Sequence, residues 1–262
     1  MKSKQQASCD YHVHCGQFRD KYYSPDTILC ALHKNGVKKV WISSTTSCIQ
    51  WKNSKEKEDL LWFIEKEIEE ACELGRKYEI DVLPLYWVIP QRHFEGDTIA
   101  KVMDGSLYCG FKVQPIFSAW SEADPAADQL FDEICCYAAQ KSLPILIHTG
   151  EDSNVRPRRF ERFFKKYPNV HFVLAHCKQA SEIIKVFKQY PNTCGDTAFC
   201  PADSYQEICR AGFADRMQMG TDFPITNWFA HMGELGNADA ELLTEEYRQT
   251  LESLNEMVFK TK

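Results

Sequence analysis

The chain has 262 residues, of which 44% are hydrophobic and 26% are charged, and these are ordinary values for a globular protein. The net charge of −6 argues against nucleic acid as a partner, and no apolar run is long enough to suggest a membrane span. The polar opening lacks the apolar stretch of a secretory signal, and the twelve cysteines include no CxxC pair. We therefore expect a cytoplasmic protein with reduced thiols.

Short β-rich runs alternate with helical patterns along the chain. Strands are predicted over 9–14, 38–45, 81–89, 108–115, 144–150, 171–177, 193–199 and 216–224. Helices are predicted over 59–78, 129–141, 158–168, 180–191, 203–213 and 242–258. Eight β-then-α units favour a single α/β domain over 1–262, folded as a (β/α)8 TIM barrel. A doubly wound open sheet is the alternative, but no GxGxxG motif follows the first strand.

The first predicted strand, "CDYHVH", carries two histidines with one residue between them. On a helix, His12 and His14 would point about 200° apart and could not share a partner. On a strand they lie on the same face, because side chains alternate with period two. Both imidazoles can then reach one point, as metal chelation requires.

Further polar residues stand where other predicted strands end, which is the rim at which TIM barrels place their active sites. These residues are Lys112, His148, His176 and Asp222. Neutral imidazoles and a carboxylate suit a divalent ion such as Zn²⁺. An ion with an open coordination position activates a water molecule, and Asp222 is placed to accept its proton. A lone histidine at a strand end is more often structural, but a cluster on one rim favours a metal site.

These motifs resemble those of the amidohydrolase superfamily, in particular the amidohydrolase-related branch that also contains metal-dependent decarboxylases. The resemblance runs along nearly the whole chain and rests on "HVH", "GFKVQP", "LIHTG", "LAHC" and "GTDFP". It implies that His12, His14 and His148 bind a metal and that Asp222 is both a ligand and the proton shuttle. His176 would bind a second ion or, with one ion, polarise the substrate carbonyl.

Lys112 is ambiguous. In two-metal members of the superfamily a lysine on strand four is carboxylated and bridges the ions. Lys112 shares a strand face with Gln114, which allows it to point inward. An unmodified ammonium beside a divalent ion is unfavourable unless an anion lies between them. Lys112 is therefore carboxylated, binds the anionic end of a substrate or tilts away, and we favour one metal ion.

The loops after the strands are expected to set specificity. The polar and aromatic candidates in them are Trp51, Glu151, Asp152, Arg156, Trp228 and His231. An arginine near the mouth can bind a carboxylate. For Arg156 we favour the alternative, in which it is a solvent-exposed charge of the loop. Asp196 either orients a neighbouring metal ligand or caps a turn. Cys15 and Cys177 follow ligand-like histidines and are expected to pack away from them.

The first functional hypothesis is a metal-dependent hydrolase that acts on a C–N or C–O bond of a small carbonyl substrate through metal-activated water. The alternative is a decarboxylase of the same fold, and a non-catalytic metal-binding barrel ranks third. An aromatic slot with a cation opposite the metal would favour decarboxylation, whereas an open polar mouth would favour hydrolysis. The expected partner is a small molecule and neither nucleic acid nor a membrane. Dimers are common in the family, so the resemblance allows a homodimer.

Overall fold

The computed structural model describes residues 8–49, 54–118, 120–121, 123–230 and 240–259. The strands in this part of the chain are β1 (Cys9–Phe18), β2 (Lys21–Tyr23), β3 (Lys39–Ser44), β4 (Asp81–Pro84), β5 (Tyr86–Trp87), β6 (Phe111–Val113), β7 (Ile145–His148), β8 (Phe172–Ala175), β9 (Thr193–Asp196) and β10 (Met217–Gln218). The helices are α1 (Pro25–Lys34), α2 (Ser54–Tyr78), α3 (Pro90–Phe94), α4 (Ile99–Met103), α5 (Pro125–Lys141), α6 (Glu161–Lys166), α7 (Ala180–Gln189), α8 (Ala202–Arg210), α9 (Ile225–Ala230) and α10 (Ala240–Phe259). Short 3₁₀ helices occupy Thr45–Cys48, Ser153–Val155, Pro157–Phe160 and Ala214–Arg216.

Two sheets form the wall of the barrel, in the orders β2-β1-β3-β4 and β10-β9-β8-β7-β6-β5. Every pair is parallel except β1 with β2. Only Leu85 separates β4 from β5, and its backbone N–H donates to Ile42 O at 2.7 Å. Three backbone hydrogen bonds join β1 to residues 219–223: Tyr11 N to Met219 O (2.9 Å), Asp222 N to His12 O (2.7 Å) and His14 N to Phe223 O (2.8 Å). The eight predicted strands are all present, and the prediction of a (β/α)8 barrel is confirmed.

Several short elements were not predicted. The sequence does contain signals for the start of helix α1, because the Ser24 side chain caps it by accepting a hydrogen bond from Thr27 N and Pro25 occupies its first turn. The hairpin strand β2 and the short helices α3 and α4 also went unpredicted. Residues 225–230 were expected to be a loop but form α9, and the helix predicted over 158–168 begins as 3₁₀ turns.

Side-chain alternation along the strands separates an inner from an outer layer. Phe111 and Val113 belong to the core between the sheet and the helices, whereas Lys112 between them is buried inside the barrel. The inward direction of Lys112 is thus confirmed. Cys15 and Cys177 are buried in the outer core, as expected for packing residues. None of the described helices is long and apolar enough to cross a membrane.

Gly16 lies in β1 at a point where the chain passes very close to α2. Its φ of +92° is in the left-handed region, and a Cβ there would lie 2.5 Å from Thr46 Oγ1 and 2.7 Å from Glu67 Oε2. Glu67 is itself a buried carboxylate that accepts hydrogen bonds from Ser44 and Thr46. Glycine is therefore required here for both backbone conformation and space.

We predict that Gly16→Ala destabilises the fold more than Gly212→Ala does. Both residues have a positive φ, which costs an alanine about 1–2 kcal/mol. A Cβ at Gly212 meets nothing within 4 Å, whereas at Gly16 overlap adds about 1–3 kcal/mol. Denaturant unfolding of both variants measures the difference, and equal losses of unfolding free energy would contradict the close approach at Gly16.

Candidate metal centre

The structure brings the predicted site residues to the carboxyl ends of the barrel strands. His12 and His14 belong to β1, Lys112 to β6 and His148 to β7, while His176 and Asp222 follow β8 and β10. A cavity of about 300 Å³ opens above them. All six predicted residues except His12 line it, and His12 is fully buried beneath.

Three ligand atoms converge where β1 meets residues 219–223. Asp222 Oδ1 lies 2.8 Å from His14 Nε2 and 3.4 Å from His12 Nε2. The group made by these three residues has its ligand atoms within 4.8 Å of one another, and all three residues are buried. This is the convergence that the HxH motif and the "GTDFP" motif predicted.

Two of these atoms have no satisfactory partner. His14 Nε2 and Asp222 Oδ1 are buried and form no hydrogen bond with the residues that the structure describes. The two atoms lie 2.8 Å apart without a hydrogen bond between them, so we treat both atoms as aimed at a common third point. Buried polar atoms are rarely left unsatisfied, and two imidazoles with a carboxylate are a donor set that divalent ions prefer. The residues therefore fit a divalent metal ion.

Hydrogen bonds at the far ring nitrogens turn both imidazoles toward that point. His12 Nδ1 lies 2.7 Å from Asp196 Oδ2, and His14 Nδ1 lies 2.9 Å from Ser43 Oγ. The carboxylate can only accept, so Nδ1 of His12 carries the proton and its Nε2 keeps a lone pair. A donating Nδ1 in His14 leaves its Nε2 in the same state, which is the arrangement that orients histidine ligands in metal sites.

Asp196 performs both of the roles considered for it. Its Oδ2 accepts from His12, and its Oδ1 accepts from the backbone N–H groups of His176 (2.8 Å) and Ala198 (3.2 Å). It therefore orients one candidate ligand and holds the turn that carries another. Ser43 was not predicted, and its place on the strand beside His14 was the only signal for it.

His148 and His176 are hydrogen-bonded to one another. His176 Nδ1 lies 3.0 Å from Ala198 O and therefore donates, so its Nε2 accepts from His148 Nδ1 at 2.9 Å. This leaves Nε2 of His148 with its lone pair. His176 also belongs to a close group with His12 and Asp196, whereas His148 belongs to neither close group. That His148 and His176 bind a metal remains a prediction.

Lys112 points directly at the candidate ligands. Its Nζ lies 2.6 Å from His12 Nε2 and 5.5 Å from the centroid of the Trp87 ring. The alternative in which Lys112 tilts away is therefore wrong, because the strand alternation places it inside the barrel. Burial lowers the pKa of this lysine, which favours the neutral amine. The Lys112 amine and a metal ion would compete for the lone pair on Nε2 of His12.

Burial also sets the charges of the other groups. It lowers the pKa of His14 to about 4 and that of His148 to about 3, and Lys112 adds to both shifts. Burial also lowers the pKa of His176. For Asp222 burial would raise the pKa, but the neighbouring imidazoles outweigh it and the pKa lies below its usual range. Neutral imidazoles and an ionised carboxylate are the states that metal binding requires.

The cavity walls are largely aromatic and apolar, and few of them were predicted. The wall residues are Trp87, Ile116, Phe117, Phe199, Ile225 and Phe229, and Gln114 and Lys178 complete the lining. The backbone of three lining residues, His176, Phe199 and Asp222, has a positive φ. Such strained conformations in non-glycine residues are concentrated at functional sites.

Most of the predicted loop residues lie elsewhere. Trp228 is buried in a core, and Arg156 donates to the backbone of Glu151 at 2.9 Å outside the cavity lining. Asp152 is exposed and caps a 3₁₀ helix. Trp51 and His231 lie outside the described residues. Lys178, which directly follows "LAHC", was readable from the sequence but was overlooked.

A protein-family model described as Amidohydrolase (Amidohydro_2) matches residues 69–255, well over half of the chain. The chain belongs to the amidohydrolase family. Its members are metal-dependent enzymes, so the third hypothesis, a non-catalytic barrel, is not favoured. No curated protein matches the chain in sequence.

Several solved structures share the fold at low sequence identity. An amidohydrolase II is 14% identical with a TM-score of 0.59, covering 94% of this chain and 100% of its own. A 5-carboxyvanillate decarboxylase from Novosphingobium aromaticivorans, complexed with manganese and 4-hydroxy-3-methoxy-5-nitrobenzoic acid, is 10% identical with a TM-score of 0.57 (92% and 94% coverage). The Escherichia coli phosphotriesterase homology protein, with phosphate in its active site, is 14% identical with a TM-score of 0.57 (97% and 95%). These likenesses show the barrel fold.

We predict that Asp196→Asn weakens metal binding by about 10–100-fold, because an amide orients and polarises His12 less well than a carboxylate. Ser43→Ala acts on His14 in the same way while leaving the turn at His176 intact. Titration of metal-free protein with ZnCl₂ in a calorimeter measures both affinities.

The matched control is Asp152→Asn, since Asp152 is an exposed acid outside the cavity. It should bind zinc like the wild type. Unchanged zinc affinity in Asp196→Asn and Ser43→Ala would contradict the orienting roles of these residues.

Proposed function

We propose that this chain is a metal-dependent decarboxylase that removes CO₂ from a small aromatic carboxylate. The observation that carries the proposal is the cavity wall, where aromatic and aliphatic side chains enclose a slot above the candidate ligands. Lys178 supplies a cation to the same cavity, and the amine of Lys112 lines it as well. The feature expected for decarboxylation was an aromatic slot with a cation opposite the metal, whereas hydrolysis was expected to show an open polar mouth; the aromatic slot supports the first. The shared fold with the 5-carboxyvanillate decarboxylase supports this choice.

One divalent ion would be held by His12, His14 and Asp222, with Nε2 of His148 as a further ligand. We favour one ion because the two candidate ligands with an unsatisfied buried atom, His14 and Asp222, both belong to this one group, and His148 and His176 already bond to one another. Zn²⁺ is our preferred ion because imidazole nitrogens dominate the set. The ion would supply a Lewis acid that polarises a substrate oxygen and stabilises the negative charge developing there.

The protein's own groups position the substrate and move the proton. Trp87 lies 5.2 Å from His14 and Phe199 lies 5.7 Å from His176, measured between ring centroids, so aromatic faces flank the ligand set. A planar ring packed between such faces excludes water from the reacting carboxylate. The amine of Lys112 would donate a hydrogen bond to that carboxylate.

In the proposed reaction, the bond between the ring carbon and the carboxylate carbon breaks and CO₂ leaves. The electron pair stays on the ring carbon, which must then take up one proton. Asp222 is ionised in the resting site and would receive a proton from substrate or solvent and deliver it to this carbon. His176 Nε2 lies 3.9 Å from Asp222 Oδ2 and would assist this transfer or polarise the substrate carbonyl.

Hydrolysis of a C–N or C–O bond is the second candidate. The ionised carboxylate of Asp222 is also suited to accept a proton from water, which is the first requirement of the hydrolytic reaction. The shared fold with the phosphotriesterase homology protein fits this alternative. For either reaction we propose a small-molecule substrate and a cytoplasmic location, in keeping with twelve free cysteines.

We predict that zinc-loaded protein releases CO₂ from at least one acid in a panel containing 5-carboxyvanillate, 2,6-dihydroxybenzoate and related aromatic carboxylates. Asp222→Asn should lower kcat by about 10²–10⁴-fold, the usual contribution of a positioned acid–base group. His14→Ala should lose bound metal as well as activity, measured by elemental analysis of the purified protein.

The controls are Asp215→Asn and His33→Ala, because Asp215 and His33 are exposed and lie outside the cavity lining. Both should retain wild-type metal content and rate. Cleavage of lactones or N-acyl amino acids without any CO₂ release from the aromatic acids would contradict the decarboxylase proposal and show that the enzyme is a hydrolase.

A further inference from the structure

A second cavity, of about 320 Å³, lies outside the barrel wall. Tyr86 of β5 lines this cavity, whereas the next residue, Trp87, lines the cavity above the candidate ligands. Consecutive side chains of a strand point to opposite faces of the sheet, so the barrel wall separates the two cavities. We call the second one the α2–α4 cavity, because residues of helices α2 and α4 form its sides. Nothing in the chemistry of the metal centre accounts for it.

The floor of the α2–α4 cavity is apolar. Four buried side chains form it, and they come from α2, from α4 and from the segment after β5: Ile64, Ile68, Val102 and Ile89. Leu107, which is 49% exposed, lies at its edge. A hydrocarbon group placed here would shield these side chains from water. The cavity therefore suits a ligand with an apolar part.

Tyr108 lines the same cavity and has a hydroxyl group without a protein partner. Its Oη forms no hydrogen bond with any residue in the described ranges. Burial raises the pKa of Tyr108, and Tyr86 and the carboxylate of Glu65 add to the rise. The guanidinium of Arg92 opposes it. The hydroxyl is therefore protonated and can donate, and two opposite charges lie close enough to act on it.

The α2 side of the cavity carries a negative charge without a partner. Glu65 is exposed and lines the cavity, and it forms neither a hydrogen bond nor an ion pair with the residues that the structure describes. Glu69, one turn further along α2, also lines the cavity but is paired with Lys66. The carboxylate of Glu65 is thus available to a ligand.

The α4 side carries an excess of positive charge. Arg92 Nε lies 2.7 Å from Asp97 Oδ2, and Lys101 Nζ lies 2.5 Å from Asp97 Oδ1. Arg92 and Lys101 line the cavity, whereas Asp97 does not. Asp104, an acid at the same side, lies 3.4 Å from Lys141 Nζ. Because two cations share the carboxylate of Asp97, one positive charge remains for a ligand.

We propose that the α2–α4 cavity binds a free α-amino acid with an apolar side chain. The ammonium group of this ligand would lie toward Glu65, its carboxylate toward Arg92 and Lys101, and its side chain on the apolar floor. An α-amino acid holds two opposite charges close together, and the two charged sides of the cavity likewise meet near the hydroxyl of Tyr108. A ligand with only one charge would leave one side unmatched. A cavity of about 320 Å³ is at the small end of ligand pockets, which suits a molecule of this size.

The test compares three probes that share one aromatic ring. L-Phenylalanine carries both charges, 3-phenylpropanoate lacks the ammonium group and 2-phenylethylamine lacks the carboxylate. Calorimetric titration of the wild type should show L-phenylalanine binding about 10-fold more tightly than either analogue, as expected for one charge-assisted hydrogen bond. Zinc-loaded and metal-free protein should give the same affinities, because the barrel wall separates the two cavities.

Two variants each remove one charge from an exposed position. Glu65→Gln should bind L-phenylalanine and 3-phenylpropanoate with nearly equal affinity, because the partner of the ammonium group is lost. Lys101→Met should reduce the preference over 2-phenylethylamine, and Lys101→Arg should retain it. Glu73→Gln is the matched control, since Glu73 is an exposed acid of α2 outside the cavity lining. It should bind all three probes as the wild type does.

Equal affinities of the wild type for the three probes, or no measurable binding of L-phenylalanine, would overturn the proposal. A preference that persists in both Glu65→Gln and Lys101→Met would place the ligand elsewhere and overturn it as well. If the preference persists in one of these variants alone, the assignment of that residue is wrong. Binding that is lost on addition of zinc would place L-phenylalanine in the cavity of the metal centre and contradict a separate site.

Discussion

The candidate site depends on the seam where β1 meets residues 219–223. The backbone of Asp222 donates to His12 O, and Phe223 O accepts from His14 N, at 2.7 and 2.8 Å. These two bonds fix the register between the HxH strand and the aspartate that faces it. A shift of one residue would turn His12 and His14 to the outer face of the barrel. The meeting of two imidazoles and a carboxylate is thus a property of backbone pairing.

A buried acid beneath the site reinforces that seam. Asp10 is fully buried and accepts hydrogen bonds from Thr221 N (3.1 Å), Thr221 Oγ1 (2.7 Å), Tyr247 Oη (2.8 Å) and His12 N (3.1 Å). It therefore ties β1, the segment before Asp222 and helix α10 together. Burial raises its pKa to about 6 although these donors oppose the shift. Removing water from this carboxylate is costly, and the four hydrogen bonds offset that cost.

The periodicity of strands explains what could be predicted. Period two placed His12 and His14 on one face and Lys112 inside the barrel, and the barrel geometry placed the other strand-end residues on one rim. The hydrogen bond between His148 and His176 could not be predicted, because it depends on a backbone turn with φ of 76° at His176. The cavity walls come from loops and short helices, whose course a sequence pattern does not determine. Gln114 and Lys178 followed recognisable motifs, but their direction required the structure.

The chemistry proposed for the site follows from its buried charges. Histidines that burial keeps neutral, an ionised aspartate and a lysine whose pKa is lowered by burial form a set that is incomplete without a cation. The most direct test is anomalous X-ray diffraction at the zinc edge from zinc-loaded crystals. We expect one peak about 2.0–2.2 Å from Nε2 of His12, Nε2 of His14 and Oδ1 of Asp222. A peak held by other residues, or none at full zinc loading, would contradict the account.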